Sequence, residues 1–219
     1  MKTPARLQPL QDDGLIDETV SQLMSGKEAQ VYIVRCGETL RCAKIYKEAN
    51  KRSFRQAAQY QEGRKTRNSR DARAMGKRSR HGQREQEDAW LNAEVDALRR
   101  LHQAGVRVPR TYGFVDGVLL MDMIVDAEGD VAPRLDDIQQ LSADDARRHH
   151  AQIMQDIVRM LCAGLVHGDL SEFNVLMAAD GPVIIDLPQA VNAAGNNSAA
   201  AMLLRDVENI TRFFARFAP

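Results

Sequence analysis

The chain has 219 residues, 30 Lys and Arg against 30 Asp and Glu, and 44% hydrophobic content, enough to bury the core of one large domain or two small lobes. No apolar run approaches the roughly 20 residues that cross a bilayer, and the start MKTPARLQPLQDDG lacks a secretory h-region. A cytoplasmic protein with no membrane partner is expected. Cys36, Cys42 and Cys162 are scattered, which suggests neither a disulfide framework nor a structural zinc cluster.

In chain order, Gln30 to Val34 and Leu40 to Tyr46 are rich in β-branched and aromatic residues, and Cys36-Gly37-Glu38 supplies a turn, predicting a hairpin. Residues 51–84 then carry about a dozen Lys and Arg against only Glu62 and Asp71, without apolar periodicity. That pattern predicts a flexible basic insertion, either a solvated loop or an arm that contacts RNA by displacing phosphate counterions. Glu87 to Gln103 has Leu91, Val95, Leu98 and Leu101 at helical spacing, with Gly105 placed to end the helix.

Gly117 to Ile124 reads as an apolar strand, followed by a turn at Asp126 to Asp130 that could join two lobes. Ser142 with Asp145 forms a capping box for a helix whose Ile153, Ile157, Met160 and Leu161 share a face up to Gly164. His149 and His150 fall near the start of that helix. Adjacent helical residues point about 100° apart, a poor arrangement for one metal, so both are expected in solvent. Ser198 to Phe217, with Leu203, Val207, Ile210, Phe214 and Phe217 at three- and four-residue steps, predicts a core helix.

The chemistry concentrates in VHGDLSEFNVLM, residues 166–177. Asn174 immediately precedes Val175-Leu-Met177 and Asp186 immediately follows Val183-Ile-Ile185, with Asp180-Gly181 between as a turn. A hairpin brings the residues just outside its open end together, so Asn174 and Asp186 can share one ion. An amide oxygen and a carboxylate are hard ligands suited to Mg²⁺, which completes its shell with water and substrate phosphates. Asp169 would then lie over the γ-phosphate, placed to orient or deprotonate an attacking hydroxyl. His167 is expected to be a scaffold for the loop and not a base.

These motifs resemble the RIO-type atypical protein kinases, in the branch without an N-terminal winged helix, over roughly Gly14 to Phe217. His167-Gly-Asp-Leu-Ser-Glu-Phe-Asn174 is similar to the family's catalytic loop, and Ile184-Ile-Asp-Leu-Pro-Gln-Ala-Val191 to its metal loop. Ser25-Gly-Lys-Glu-Ala-Gln-Val-Tyr32 resembles its phosphate loop, and Cys42-Ala-Lys-Ile-Tyr46 the strand that carries the phosphate-binding lysine, Lys44. Trp90 to Leu98 resembles the helix that supplies Glu94 as that lysine's partner. Leu119 to Ile124 takes the hinge position. Where the family often has Asp-His-Pro after the metal loop, this chain has Asn192-Ala-Ala-Gly-Asn-Asn197.

The resemblance implies an α+β, two-lobed protein-kinase-like fold in a single domain. It would have a small antiparallel sheet plus one helix in an N-lobe at about 14–121, a hinge at about 122–130, and a reduced, mainly helical C-lobe at about 131–219. It implies ATP contacts at Ser25, Gly26, Lys27, Glu28, Val31, Ala43, Lys44, Met121, Asp122, Ile124 and Leu176, with adenine bonded to the backbone of Asp122 and Ile124. Asp169, Lys44 and Glu94 would be catalytic, and Asn174 and Asp186 would hold Mg²⁺, with Mn²⁺ as an alternative ion.

The activity implied is a serine/threonine protein kinase with autophosphorylation. The first alternative is a ribosome- or RNA-associated ATPase switch with a transient phospho-aspartate at Asp186. The second is a small-molecule kinase of the aminoglycoside or choline type, disfavoured because only 45 residues follow Asn174. The partners expected are ATP and a protein substrate or ribosomal particle; no DNA-binding domain is evident.

Overall fold

The computed structural model describes residues 3–26, 29–47 and 93–218. The basic stretch 51–84, Lys27, Glu28, Trp90, Leu91 and the predicted helix start at 87–92 lie outside the described residues. The chain packs as two units, whose described parts are 3–26, 29–47 and 109–123 for the first, and 93–108 with 124–218 for the second.

The first unit is built on five antiparallel strands: β1 (Glu18–Ser25), β2 (Ala29–Cys36), β3 (Thr39–Tyr46), β4 (Thr111–Val115) and β5 (Val118–Asp122), in the order β1-β2-β3-β5-β4. The predicted hairpin is β2 and β3, in register from Ala29 opposite Tyr46 to Cys36 opposite Thr39. Strands β1 and β4 were not anticipated, because Glu18–Ser25 alternates too weakly and Thr111–Val115 is short. Ahead of them a one-turn helix, α1 (Gln8–Asp12), lays Leu7, Leu10 and Ile16 against Tyr32, Val34, Ala43, Ile45, Val118 and Leu120. Gln11 donates to the Asp17 carbonyl and the Asp17 carboxylate accepts the Gly37 N–H, so side-chain bonds hold the segment in place.

In the second unit, helical residues 93–103 (α2) bury Val95, Ala97, Leu98 and Leu101. The helix ends as predicted at Gly105, whose φ of +75° favours the residue without a Cβ. The chain beyond it is tied into the same unit, since the Arg107 carbonyl accepts the Ile184 N–H. Helix α3 (Ala143–Cys162) starts at Ser142, whose hydroxyl accepts the Asp145 N–H at 3.0 Å, the expected cap. Ile153, Ile157 and Met160 are buried along it.

Leu161, expected on that face, is 43% exposed; it lies about 100° round from Met160, at the edge of the stripe. The two histidines also depart from expectation. His149 is buried and bonds Gln152 Oε1 at 3.0 Å, while His150 bonds Thr211 and packs edge-on to Phe214. Their divergent directions, which disqualify them as a metal pair, let each find a different protein partner.

Two short antiparallel pairings follow from β6 (Leu165–Val166), β7 (Val175–Ala178), β8 (Gly181–Ile184) and β9 (Val191–Asn192): β6 with β9, and β7 with β8. Helix α4 (Ala199–Phe214) closes the unit. Its buried face runs through Ala199, Met202, Asp206, Ile210, Phe213 and Phe214, which keeps Ile210 and Phe214 of the predicted stripe. Leu203 and Val207 are only half-buried, because a charged residue sits mid-face where a hydrophobic one was expected. Among the described residues no helix is long and apolar enough to cross a membrane.

Candidate active site

The β7–β8 hairpin performs the predicted juxtaposition. Val175 faces Ile184, and one residue further out the Ile185 N–H donates to the Asn174 carbonyl at 3.0 Å, which places Asp186 directly beyond Asn174's partner. Asp186 has φ +63°, a left-handed conformation that an aspartate tolerates better than most residues. The turn that leads to Asn174 spans Glu172–Asn174, and Asn174 Nδ2 donates to the Asp169 carbonyl at 2.8 Å. With its nitrogen committed inward, the amide's oxygen is the end left to face a cation. The pair therefore fits a hard divalent ion. Among the described residues no group of three or more His, Cys, Asp or Glu could hold a metal, so an ion here must draw its remaining ligands from water and phosphate.

Asp169 sits in a loop held by side chains. His167, buried, is bonded through Nε2 to the Ile185 carbonyl at 3.1 Å and through Nδ1 to the Asp169 N–H at 3.3 Å. A carbonyl only accepts and an amide N–H only donates, so the ring turns an Nε2 proton toward Ile185 and its Nδ1 toward the Asp169 N–H. The scaffold role expected of His167 is thus specific: one ring ties the Asp169 loop to the strand end that carries Asp186.

Sequence reasoning missed Asp206. Almost fully buried on α4, it accepts the Gly168 N–H at 2.8 Å and the Leu170 N–H at 2.9 Å, one with each carboxylate oxygen. Burial pushes its carboxyl above the usual carboxylate range, opposed by the nearby His167, the two N–H bonds and Arg205. Arg205 donates to the Gly168 carbonyl, and Asn209 donates to the Leu170 carbonyl at 3.1 Å. The available signal was the charged Arg205-Asp206 pair inside an otherwise apolar helical stripe. Gly168 itself has φ +83°, which a side chain there would resist.

The remaining predicted residues divide between the units. Lys44, on β3, is buried, with its Nζ 5.2 Å from the Tyr46 ring centre. Ala43 is also buried, and Val31 is half-buried on β2. In the β1–β2 loop Ser25 and Gly26 receive Lys47, whose Nζ donates to the Gly26 carbonyl at 2.6 Å. At the end of β5, beyond Met121, the Asp122 N–H donates to the Arg110 carbonyl, and its carboxylate accepts from Tyr112 Oη and the Arg110 N–H. Glu94 is buried on α2, the Ile124 carbonyl accepts the Ala132 N–H, and Leu176 pairs with Val183. All of these belong to the second unit, as do Asp169, Asn174 and Asp186. Cys42, next to Ala43, has its thiol pushed up to about 12 by burial.

A model of the RIO domain matches residues 30–219, which covers the second unit and the first from β2 onward. The chain belongs to the RIO protein kinase family. The RIO-type serine/threonine-protein kinase Rio1 of Haloferax volcanii is 33% identical over 215 residues, covering 98% of this chain and 69% of its own. The corresponding Rio1 of Methanocaldococcus jannaschii is 34% identical over 202 residues, covering 92% and 64%. Human serine/threonine-protein kinase RIO1 is 34% identical over 212 residues, covering 93% and 34%. This RIO chain thus spans about two thirds of the archaeal relatives and a third of the human one.

Proposed function

We propose that this RIO chain transfers the γ-phosphoryl group of ATP to a serine or threonine hydroxyl of a protein, itself included, with Asp169 as the base. The observation that carries the reading is the placement of three groups in one unit: Asp169 in a side-chain-held loop, Asn174 bonded to its carbonyl, and Asp186 one residue past Ile185, whose N–H donates to the Asn174 carbonyl.

In this reading the acceptor oxygen attacks the γ-phosphorus, the bond from that phosphorus to the bridging β–γ oxygen breaks, ADP leaves, and the hydroxyl proton passes to the Asp169 carboxylate. Asn174 and Asp186 would hold Mg²⁺, which when bound neutralises charge on the phosphates. Lys44 would grip the α- and β-phosphates with Glu94 as its partner. Gly26 would lie along the phosphates, its carbonyl accepting a bond from Lys47. The Asp122 carbonyl and Ile124 N–H are the groups proposed for adenine, since the Asp122 N–H and Ile124 carbonyl are already bonded within the protein.

The experiment is labelled-ATP turnover by the purified chain, analysed for both phosphoprotein and free phosphate. Asp169→Ala should lower phosphotransfer by about 10²- to 10⁴-fold, the range for removing a positioned base; equal rates in both proteins would sink the assignment. Free phosphate as the sole product, with a hydroxylamine-labile phosphoenzyme, would instead favour an ATPase that passes through Asp186. RNA contact through residues 51–84 is tested by their deletion, which should flatten the salt dependence of RNA binding. The small-molecule kinase alternative draws no support from relatives named as protein kinases.

A further inference from the structure

In the pairing of β4 with β5, Thr111 faces Met121 and Gly113 faces Leu120, so Tyr112 is the extra residue of a bulge. A bulge takes one side chain out of the strand's alternation and aims it elsewhere. Tyr112 is aimed at the end of β5, where its Oη donates to Asp122 Oδ1 at 2.7 Å. The other carboxylate oxygen accepts the Arg110 N–H at 3.0 Å, and the Asp122 N–H donates to the Arg110 carbonyl at 3.0 Å. Arg41, opposite Asp122 on β3, has its guanidinium carbon 3.6 Å from the Tyr112 ring centre, and that of Arg110 stands 5.4 Å from it.

We infer that Tyr112, with Arg41 stacked on it, is a positioning residue for the adenine base: it holds Asp122, whose carbonyl is the group proposed to meet that base. The inference rests on the adenine reading of Asp122. Asp122 is the last residue of β5, so no following residue of the strand fixes the direction of the chain there. A carboxylate gripped at both oxygens, on a residue whose N–H is also bonded, supplies that constraint. Tyr112 is exposed, so its ring adds little to the core. The bond to Asp122, burial and the Asp122 charge push the Tyr112 phenol up, against Arg41 and Arg110, so the hydroxyl keeps its proton and remains the donor.

Arg41 Nε is buried with no hydrogen-bond partner among the described residues. An unmet buried N–H costs stability, so an arginine in this place answers a demand other than stability. Its planar face meets that demand: a guanidinium stacks on an aromatic ring and holds it in one orientation, where an ammonium group offers only a point charge.

The test uses the full chain with Tyr112→Phe, which removes the hydroxyl and keeps the ring, and Arg41→Lys, which keeps the charge and loses the stack. Calorimetric binding is measured for three probes with Mg²⁺ present: ATP, adenosine and inorganic tripolyphosphate. Both variants should bind ATP and adenosine about three- to tenfold more weakly, within the worth of one hydrogen bond, and tripolyphosphate as the wild type does. In turnover the same factor should appear in KM for ATP and not in kcat. Unchanged adenosine affinity in Tyr112→Phe would overturn the inference. So would an equal loss for tripolyphosphate, the mark of general damage to the sheet. If the wild type binds ATP no more tightly than tripolyphosphate, the adenine reading has failed, and the inference falls with it.

Discussion

Asp206 and Asp156 are both almost fully buried on helices of the second unit, and burial raises the pKa of both, yet they hold different parts of the chain. Asp156, on α3, is paired with Arg159 at 2.8 Å and accepts the backbone N–H of Arg107, in the segment that follows α2. Asp206 holds the two N–H groups on either side of the candidate base. The same chemical device, a buried carboxylate receiving backbone donors, serves architecture in one place and, in the proposed reading, the reaction in the other. What separates the roles is the identity of the residue between the donors, a distinction that burial and charge alone do not reveal.

Exchanging the carboxylates one at a time is the strongest way to break this comparison. Asp206→Asn turns a donor toward Gly168 or Leu170 N–H, and kcat per folded molecule should fall about 10²-fold. Asp156→Asn should leave kcat per folded molecule unchanged and lower stability by about 1–3 kcal/mol, the penalty for a mismatched buried hydrogen bond. Urea unfolding alongside single-turnover kinetics separates the two, and equal kcat losses would erase the distinction.

A pH series sharpens it further. Since burial holds Asp156 above the usual 3.8, the native state keeps its proton to higher pH than the unfolded chain. That contribution to stability is full below the unfolded pKa and falls as pH rises through the native one. Asp206 follows the same sign. Asp180 is the converse: its bond to Arg107 lowers its pKa, so the pair's stabilisation is present above 3.8 and lost as pH falls through the native pKa. Urea midpoints from about pH 3 to about pH 7 should therefore lose a descending component in Asp156→Asn and an ascending one in Asp180→Asn. Because the Asp180 side chain is 74% exposed, its removal should cost only about 0.2–1 kcal/mol. The smallest effect concerns thiols: a mild alkylating reagent should modify exposed Cys162 in the native protein and leave buried Cys42 untouched, checked by peptide mass.

The β7–β8 hairpin and its end pair were legible because turn chemistry and strand length fix register locally: Asp180-Gly181 decides which residues meet. The β2–β3 hairpin was legible for the same reason. Strands β1 and β4 were not, since one is an edge with two irregularities in its pairing and the other has five residues, and both gain their extended form from neighbours. Of the site, residues that contact substrate in the family resemblance were readable as motifs. Those that hold the loop were not. Asp206 occupies the centre of a buried helical face, where a periodicity argument looks only for apolar side chains, and its partners are backbone groups that any sequence possesses.

The core of the first unit carries a consequence for how the chain folds. Leu7, Leu10 and Ile16 are packed with Val118 and Leu120, so a contact set central to that unit joins residues about 110 positions apart. During synthesis at about 5–20 residues per second, α1 and the first three strands emerge and wait roughly 4–14 seconds before β5 arrives to complete their core. Through that interval β3 lacks the neighbour that will pair with it on one side. Translation speed across residues 47–118, which include the basic stretch, thus sets how long an incomplete sheet is open to wrong pairing.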